Sequence, residues 1–294
     1  MKKKMVFITG ATGFLGQHLV PHLMKQGFRV AALVRNKKKI TIFGQNASKI
    51  IWCTKESEID RVFNQGVDCV IHCATSYGRE KDTFADVVEA NVLLPVNILE
   101  KACMYGCPLF INTDTFFHEK LGLKSKEKSY ITTKKLFLEL ARSIIQGSDM
   151  CFVNMRLEQM YGPFDSRDKF VMSIIQQLRA GIPQIKLTEG KQKRDMVFVG
   201  DVARAYTSVI AHADTLKQWE EFGIGTGSSV SIKNIITFLK KETKSDSHLL
   251  WGQIPYREHE IMDSKAQVKN NKKIEWKAGV GWKQGLQKTI ESLL

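Results

Sequence analysis

Three glycines, each separated from the next by two residues, follow the first apolar segment of the chain. The apolar run 4–9 leads directly into Gly10, and a helical pattern of leucines begins within the same turn. Glycines let the backbone approach a ligand closely, and the helix start presents N–H groups that bind a diphosphate. A purely structural turn is the alternative. The position between a strand and a helix favours a dinucleotide site, with expected contacts from Gly10, Thr12, Gly13, Phe14, Leu15 and Gly16.

The first half of the chain alternates apolar segments with amphipathic ones. Uninterrupted apolar strands between amphipathic helices are typical of a parallel sheet covered on both faces. We therefore predict an α/β fold of the doubly wound, Rossmann type. The expected strands are 4–9, 29–34, 67–74, 108–113 and 151–157, and the expected helices between them are 14–26, 83–106 and 129–146.

The second half is less regular and predicts a smaller lobe packed on the sheet. Helices are expected over 168–180, 201–214, 231–243 and 283–294, with strands over 184–187 and 194–199 and a late strand and turn over 222–227. We assign 1–163 and about 186–226 to a dinucleotide-binding domain. The substrate lobe then comprises about 164–185 together with 227–294, most of it C-terminal.

Composition excludes several classes of protein. The chain has 294 residues, 43% hydrophobic and 25% charged, which is ordinary for a globular protein and unlike a disordered or fibrous one. A membrane-spanning helix needs about 18 consecutive apolar residues, and no run is that long. The N-terminal MKKKMVFITG reads as a first strand and not as a secretory signal. We expect no membrane partner.

The net charge is unusual, because 44 Lys and Arg exceed 30 Asp and Glu to give +14. A basic surface attracts anions, including nucleic acids and phosphorylated small molecules. The bases are densest over 35–39, 120–135 and 265–277. No basic run is interleaved with aromatic residues that would stack on bases. We therefore expect small anionic ligands and only weak, salt-sensitive binding of nucleic acid.

The six cysteines predict free thiols. They lie mostly in apolar stretches of a long chain, which is typical of buried, reduced cysteines in a cytoplasmic protein. Two pairs have a spacing of four, but no clean ligand set accompanies them, and we expect no metal. The residues are Cys53, Cys69, Cys73, Cys103, Cys107 and Cys151.

The end of the second strand bears on the choice of cofactor. An acidic residue here would bind the adenosine ribose hydroxyls and favour NAD(H). The chain has Val34, Arg35 and Asn36 followed by three lysines, with no carboxylate. A guanidinium forms charge-assisted bonds to a 2′-phosphate. We expect NADP(H) to be favoured over NAD(H) through Arg35, a solvated basic loop being the alternative.

A tyrosine and a lysine four residues apart predict an acid–base site. Tyr130 and Lys134 share one face of the helix expected over 129–146. A nearby cation stabilises phenolate and would lower the pKa of the tyrosine. The run Thr113-Asp114-Thr115 ends the preceding strand, at the edge of the sheet where ligands bind in such folds.

Together these motifs resemble the extended short-chain dehydrogenase/reductase family. The glycine triplet, HCAT at 72–75, Asn91, the strand end at Thr113 and the Tyr130/Lys134 pair occur in the family's order. Further similar segments are Arg156-Leu157, Tyr161-Gly162-Pro163, the run 194–202, Gly223-Ile-Gly225-Thr-Gly227 and the region from Trp282 onwards. The resemblance covers nearly the whole chain and implies an enzyme acting on a nucleotide sugar, with a homodimer as a possible assembly.

The resemblance also implies roles for individual residues. Tyr130 would donate a proton to a carbonyl, Lys134 would hold the nicotinamide ribose and lower the pKa of Tyr130, and Thr113 would bind the substrate oxygen. Arg194 would bind the sugar diphosphate and Arg257 the nucleotide end. An ion pair of Arg194 with Asp195 or Asp201 is the alternative. Further cofactor contacts are implied for Cys73, Ala74, Thr75 and Asn91, and further substrate contacts for Asp114 and Thr115.

Departures from the family pattern narrow the expected reaction. The dehydratase branch has T-D-E where this chain has Thr113-Asp114-Thr115, so elimination of water is disfavoured; Asp114 itself has a structural role as its alternative. The acidic residue that contacts adenine after the third strand is missing from IIWCTKESE. The short segment between Thr113 and Tyr130 resembles reductases of the CDP-abequose and CDP-paratose synthase type.

We therefore expect NADPH-dependent reduction of the 4-keto group of a nucleotide-linked deoxyhexose, with CDP as the expected nucleotide. Two alternatives stay open. An epimerase would use the same residues with a bound cofactor and no net consumption of it. A non-catalytic dinucleotide-binding protein, acting as a sensor or binding nucleic acid, would be expected to lose Tyr130 or Lys134, and this chain has both.

Overall fold

A seven-stranded parallel sheet forms the centre of the molecule. The computed structural model describes residues 3–78, 82–119 and 128–293, and the following statements concern these residues. The strands of the central sheet are β1 (Met5–Thr9), β2 (Arg29–Leu33), β3 (Ile51–Cys53), β4 (Cys69–His72), β5 (Leu109–Thr115), β6 (Cys151–Leu157) and β11 (Trp219–Ile224). Their order is β11-β6-β5-β4-β1-β2-β3. The predicted doubly wound α/β fold is confirmed.

Helices cover both faces of this sheet, and short strands pair outside it. The helices are α1 (Phe14–Lys25), α2 (Glu56–Asn64), α3 (Phe84–Val88), α4 (Leu94–Met104), α5 (Lys128–Ile144), α6 (Phe170–Arg179), α7 (Val199–Ala211), α8 (Ile232–Glu242) and α9 (Trp282–Glu291). The short strands are β7 (Gln159–Tyr161), β8 (Gln184–Lys186), β9 (Lys193–Arg194), β10 (Met196–Phe198), β12 (Val230–Ser231) and β13 (His248–Leu250). The predicted division into two units stays a prediction.

The alternation of side chains along the strands divides the core into two layers. Ile111 and Val153 belong to the cluster that packs under α1 and α7. Phe110 and Phe152 belong to the cluster that packs under α2, α4 and α5, and their rings stack at a centroid distance of 5.4 Å. A third cluster joins α6, α8 and α9. Apolar burial on both faces explains why the strands are continuously hydrophobic.

The register of the sheet brings the ends of its central strands to one edge. β1 pairs with β4 up to Thr9 opposite His72, so Gly10 and Cys73 follow side by side. β5 pairs with β6 up to Thr115 opposite Leu157. Because the strands are parallel, all their carboxyl ends lie at this edge, where ligands of such folds bind.

Two expectations about secondary structure were wrong in detail. The helix expected over 83–106 is divided into α3 and α4 by a π turn at Glu89–Leu93. α2 was not expected as a separate element, and the three-residue β3 was expected only through the family resemblance, as the third strand at the start of IIWCTKESE. The Glu58 carboxylate starts α2 by accepting hydrogen bonds from the backbone N–H groups of Thr54 and Lys55. The apolar side of α2 consists of Ile59, Val62 and Phe63. This pattern is short and lies among charged residues, so the sequence gives little sign of a helix here.

The cysteines are free, and four of the six are buried. Among the described residues, no cluster of histidine, cysteine and carboxylate side chains could hold a metal ion. The same part of the chain contains no helix that is long and apolar enough to cross a membrane. Of the basic stretch 120–135, residues 120–127 lie outside the described residues.

Candidate active site

The glycine loop, residues 10–16, is built by close approach of backbone to backbone. Gly10 has φ of +74°, and a Cβ there would lie 2.6 Å from the backbone nitrogen of Ala74. A Cβ at Gly16 would lie 2.3 Å from the carbonyl oxygen of Ala11. Gly13 precedes α1 and has no side chain to cap its N–H groups. The start of α1 therefore lacks a side-chain cap, and its first N–H groups suit a diphosphate.

Asn91 holds the loop that follows β4. Its Oδ1 accepts hydrogen bonds from the Thr75 hydroxyl (2.9 Å) and the Ser76 N–H (2.8 Å). Its Nδ2 donates to the Ser76 carbonyl (2.8 Å) and to Oγ1 of Thr133 (3.1 Å). The π turn places this buried amide between the β4 loop and α5, which agrees with the frequent occurrence of such turns at functional sites. Asn91 shapes the loop, and a direct contact with a cofactor stays a prediction.

Five residues form a polar corner at the end of β5: Thr113, Asp114, Thr115, Tyr130 and Lys134. Lys134 is buried, and its Nζ donates a hydrogen bond to the Thr113 carbonyl at 2.8 Å. Desolvation lowers the pKa of Lys134, while the Asp114 carboxylate acts in the opposite direction. The structure therefore brings together the residues that the sequence placed at this edge.

The Asp114 carboxylate accepts a hydrogen bond from the end of a chain of two buried amides. Asn154 donates a hydrogen bond from Nδ2 to Oδ2 of Asp114 at 2.9 Å. Asn112 in turn donates to Oδ1 of Asn154 at 2.8 Å. A buried carboxylate is expensive unless it is hydrogen-bonded or paired with a charge. These contacts give Asp114 a structural function beside Lys134; a contact between Asp114 and substrate stays a prediction.

The electrostatics of Tyr130 differ from our expectation. Burial raises the pKa of Tyr130 well above its usual value, and the Tyr77 phenol and the Asp114 carboxylate add to the rise. A hydrogen bond from the Thr115 side chain acts in the opposite direction. Lys134 was expected to lower this pKa, but the net shift is upward, because desolvation of the buried phenol is its largest cause. Tyr130 is a neutral phenol in this environment.

Thr113 and Thr115 have different partners although they are two residues apart. The Thr113 hydroxyl lies 2.7 Å from the Tyr206 hydroxyl and donates to the Cys73 sulfur at 3.2 Å. Thr115 instead bonds Tyr130. Sequence reasoning missed Tyr206, because its spacing from Val199 and Val202 on α7 is typical of a core residue. It is fully buried, and only its hydroxyl distinguishes it from the surrounding apolar side chains.

An aromatic residue covers Tyr130 on one side. The Tyr77 and Tyr130 ring centroids are 5.0 Å apart, and Nζ of Lys169 lies 4.0 Å from the Tyr77 centroid. Gly78 has φ of +65°, and a Cβ there would lie 2.8 Å from Oγ of Ser129. The β4 loop thus lies close against the start of α5. Sequence reasoning missed this contact, and a lone tyrosine after HCATS gives little signal of it.

Arg194 is paired within the protein. Its guanidinium contacts the Glu260 carboxylate at 2.5 Å and donates to the Ile261 carbonyl, and the two charged side chains are 13% and 15% exposed. The alternative pairing with Asp195 or Asp201 was wrong. Asp195 accepts hydrogen bonds from the backbone N–H groups of Thr226, Gly227 and Ala266, and Asp201 pairs with Arg204. A contact of Arg194 with a diphosphate stays a prediction.

Two further arginines lie at the surface. Arg35 follows β2 and is exposed. The next residue, Asn36, accepts a hydrogen bond from the N–H of Lys38 at 2.9 Å and starts a 3₁₀ segment, Lys37–Lys49, that a kink at Gly44 divides in two. Arg257 is exposed in the segment between β13 and α9. Arg35 is therefore open to an anion at the end of β2, as the sequence suggested, and both binding roles stay predictions.

Comparison with known proteins agrees with this geometry. The NAD dependent epimerase/dehydratase family matches residues 6–225. The chain is 35% identical to CDP-abequose synthase of Salmonella typhimurium over 99% of both chains. It is 28% identical to CDP-abequose synthase of Yersinia pseudotuberculosis, over 87% of this chain and 90% of that protein.

Solved structures with lower identity share the fold. One is UDP-glucose 4-epimerase from Thermotoga maritima with UDP-glucose, which has 21% identity and a TM-score of 0.82 over 98% of both chains. Another is UDP-glucuronic acid 4-epimerase from Bacillus cereus in complex with UDP-glucuronic acid and NAD, with 22% identity and a TM-score of 0.79 over the same shares. On its matched residues and its full-length relatives, the chain belongs to the NAD dependent epimerase/dehydratase family.

Proposed function

We propose that this protein reduces the 4-keto group of a CDP-linked deoxyhexose with NADPH. The observation that carries the proposal is the neutral, buried phenol of Tyr130 at the same sheet edge as the glycine loop. Full-length similarity to CDP-abequose synthases supports the substrate class.

The glycine loop fits a dinucleotide, because it lies between β1 and the start of α1, where no side chain caps the first N–H groups of the helix. A bound nicotinamide would supply the hydride. The exposed guanidinium of Arg35 supports a preference for the 2′-phosphate of NADPH. Lys134 belongs to α5, and its ammonium group reaches the end of β5, where it would hold a ribose hydroxyl.

Tyr130 is the proposed proton donor. Reduction of a ketone places negative charge on its oxygen, and a neutral phenol within hydrogen-bond reach can deliver the proton as that charge develops. Because a raised pKa also makes the phenol a weaker acid, transfer of its proton requires stabilisation of the phenolate, which the hydrogen bond from Thr115 would supply.

The residue at position 115 supports reduction over elimination. Loss of water from a hexose needs a base to remove a proton from carbon and an acid to protonate the leaving hydroxyl. Thr115 is a hydroxyl with no base strength near neutral pH, and Asp114 is held by Asn154. The polar corner therefore offers one proton donor, which is what ketone reduction requires.

The test is a screen of CDP-, UDP- and dTDP-linked 4-keto-deoxyhexoses with NADPH, with the stereochemistry of the product determined by NMR. We expect stoichiometric NADPH oxidation with the CDP sugar, at a rate that falls about 10²–10⁴-fold in the Tyr130→Phe protein. Interconversion of two sugars without net NADPH oxidation would establish an epimerase instead. Formation of a 4-keto-6-deoxy sugar from a plain CDP-hexose would contradict the proposal.

A further inference from the structure

Tyr206 is fully buried in the core, and its hydroxyl contacts the polar corner. It lies on α7, among apolar residues that pack under the central sheet. Its hydroxyl reaches Oγ1 of Thr113 at 2.7 Å, the usual distance for an O–H···O hydrogen bond. Thr113 is partly exposed at the edge of the sheet, whereas Tyr206 has no route to a substrate.

The acceptors of the Thr113 and Tyr206 hydroxyl protons follow from the groups around them. Thr113 has one hydroxyl proton, and its Oγ1 donates a hydrogen bond to the Cys73 sulfur at 3.2 Å. The second group beside the phenol of Tyr206 is also the Cys73 sulfur, which is a weaker acceptor than a hydroxyl oxygen. Burial raises the pKa of Tyr206 well above its usual value, while its hydrogen bond with Thr113 acts in the opposite direction. With the Thr113 proton directed to Cys73, the proton left for the contact between the two hydroxyl groups is that of the phenol, so Tyr206 donates to Thr113.

We propose that Tyr206 is a positioning residue that makes Thr113 a hydrogen-bond donor to the substrate oxygen. With one lone pair of Oγ1 occupied by the Tyr206 proton, the Thr113 hydroxyl is oriented to donate its own proton to the Cys73 sulfur. Cys73 accepts it weakly, and a ketone oxygen is a better acceptor that can take the sulfur's place. No bond is broken in this exchange, since one hydrogen bond replaces another. The inference rests on the proposed function, because it requires a substrate oxygen at Thr113.

The kinetic test is a double-mutant cycle in the full-length protein, measured as NADPH-dependent reduction of a CDP-linked 4-keto-deoxyhexose. Thr113→Val should lower kcat about a hundredfold, as for loss of one donor to a developing oxyanion. Tyr206→Phe should lower kcat about tenfold with little change in KM. In the Thr113→Val background, Tyr206→Phe should cost nothing further, because its partner is gone.

The matched control is Tyr161→Phe. Tyr161 is also fully buried, and its hydroxyl donates to the Trp282 carbonyl at 3.1 Å. This variant loses a buried hydrogen bond outside the polar corner, so kcat should stay within twofold of the unaltered protein while thermal stability falls. Equal losses from Tyr206→Phe in both Thr113 backgrounds, or no loss at all, would overturn the proposal.

A second measurement needs no turnover and no loss of the hydroxyl. Site-specific 3-fluorotyrosine at position 206 is nearly isosteric with tyrosine, and its fluorine resonance reports on the hydrogen bond of the phenol. We expect Thr113→Val to shift this resonance, and an unshifted resonance would show that the bond is absent. If the protein reduces none of the sugars but the shift occurs, the proposed function has failed and the hydrogen bond has not.

Discussion

The glycine loop and the polar corner lie at the same edge of the sheet, but different kinds of atoms form them. In the glycine loop the backbone makes the site, and at Gly10 and Gly16 the absence of a side chain is the essential feature. In the polar corner five side chains make the site, and their partners come from other elements of the fold. Thr113 meets Tyr206 of α7, and Asp114 meets Asn154 of β6.

This difference decides how each region tolerates change. A backbone site has no conservative substitution at its glycines, because any side chain meets main-chain atoms that cannot rotate away. A side-chain site can lose one group and keep its shape, so its variants should fold and report on chemistry. The predictions below test this contrast, beginning with the change of largest effect.

Gly10→Ala should abolish cofactor binding and strongly destabilise the fold. Its Cβ would lie 2.6 Å from the Ala74 nitrogen, at φ of +74°. Gly27→Ala is the control, since Gly27 has φ of +89° and nothing within 4 Å of its Cβ. The unfavourable φ should cost about 1–2 kcal/mol at either position. The clash at Gly10 should add at least about 1–3 kcal/mol to the loss of unfolding free energy.

Urea unfolding and calorimetric titration with NADPH measure the two effects separately. The control should bind NADPH as the unaltered protein does. Equal stability and equal NADPH affinity of the two alanine proteins would mean that the backbone contact at Gly10 has no function, and the contrast between the regions would fail.

Tyr130→Phe should keep the fold and lose about 10²–10⁴ in kcat, the usual contribution of a positioned acid. The high pKa of Tyr130 also predicts a pH effect on stability. A group whose pKa is raised in the folded state stabilises it fully below the unfolded pKa, about 10 for tyrosine, and loses this contribution as pH rises further. Relative to the unaltered protein, Tyr130→Phe should therefore gain stability above about pH 10.

The pH effect can be measured by urea unfolding from neutral to strongly alkaline pH. A Phe variant whose unfolding free energy runs parallel to that of the unaltered protein over this whole range would contradict the buried, neutral phenol. Retention of most of the activity would remove Tyr130 as the acid, whatever the pH dependence.

Arg35→Asp should reverse or erase the preference for NADPH. A guanidinium–phosphate contact is worth about 1.5–3 kcal/mol, or roughly ten- to a hundredfold in affinity. Lys38→Asp is the control, since it makes the same charge change three residues further along an exposed segment. Titration calorimetry with NADPH and NADH measures both variants. Equal affinity of the unaltered protein for the two cofactors would contradict the assignment.

The sequence was sufficient for the glycine loop and for the central strands, because a strand buried on both faces and a glycine turn are patterns of adjacent residues. The sequence was insufficient where contacts with elements distant along the chain determine the local structure. β3 is stabilised by its neighbour β2, which three residues of sequence cannot show. The division of the helix around Asn91 depends on the β4 loop that this amide holds.

In the polar corner too, the sequence could not predict contacts between residues that are distant along the chain. Spacing correctly placed Tyr130 and Lys134 together on α5, but it suggested that the lysine would lower the pKa of the phenol. The competing acceptor is the Thr113 carbonyl, and its position is fixed by the sheet. Tyr206 was hidden because a buried tyrosine and a buried leucine follow the same helical spacing.

Thr115→Val should have the smallest effect of these changes. It tests whether Thr115 is the group that stabilises the phenolate of Tyr130. The Thr115 hydroxyl lowers the pKa of Tyr130 by hydrogen bonding, so its loss should raise that pKa further and leave the phenolate without this bond. A hydrogen bond to a charged group is worth about 1.5–3 kcal/mol, and only the part gained in the transition state affects the rate, so kcat should fall about tenfold. Thr289→Val is the control, because Thr289 is also buried and its hydroxyl donates to the Gly285 carbonyl of its own helix. Steady-state kinetics with NADPH and the keto sugar should show the loss in kcat for Thr115→Val alone. If both valine variants keep full activity, the phenolate is stabilised by another group, and Lys134 would have to move from the Thr113 carbonyl toward Tyr130 when the ligands bind.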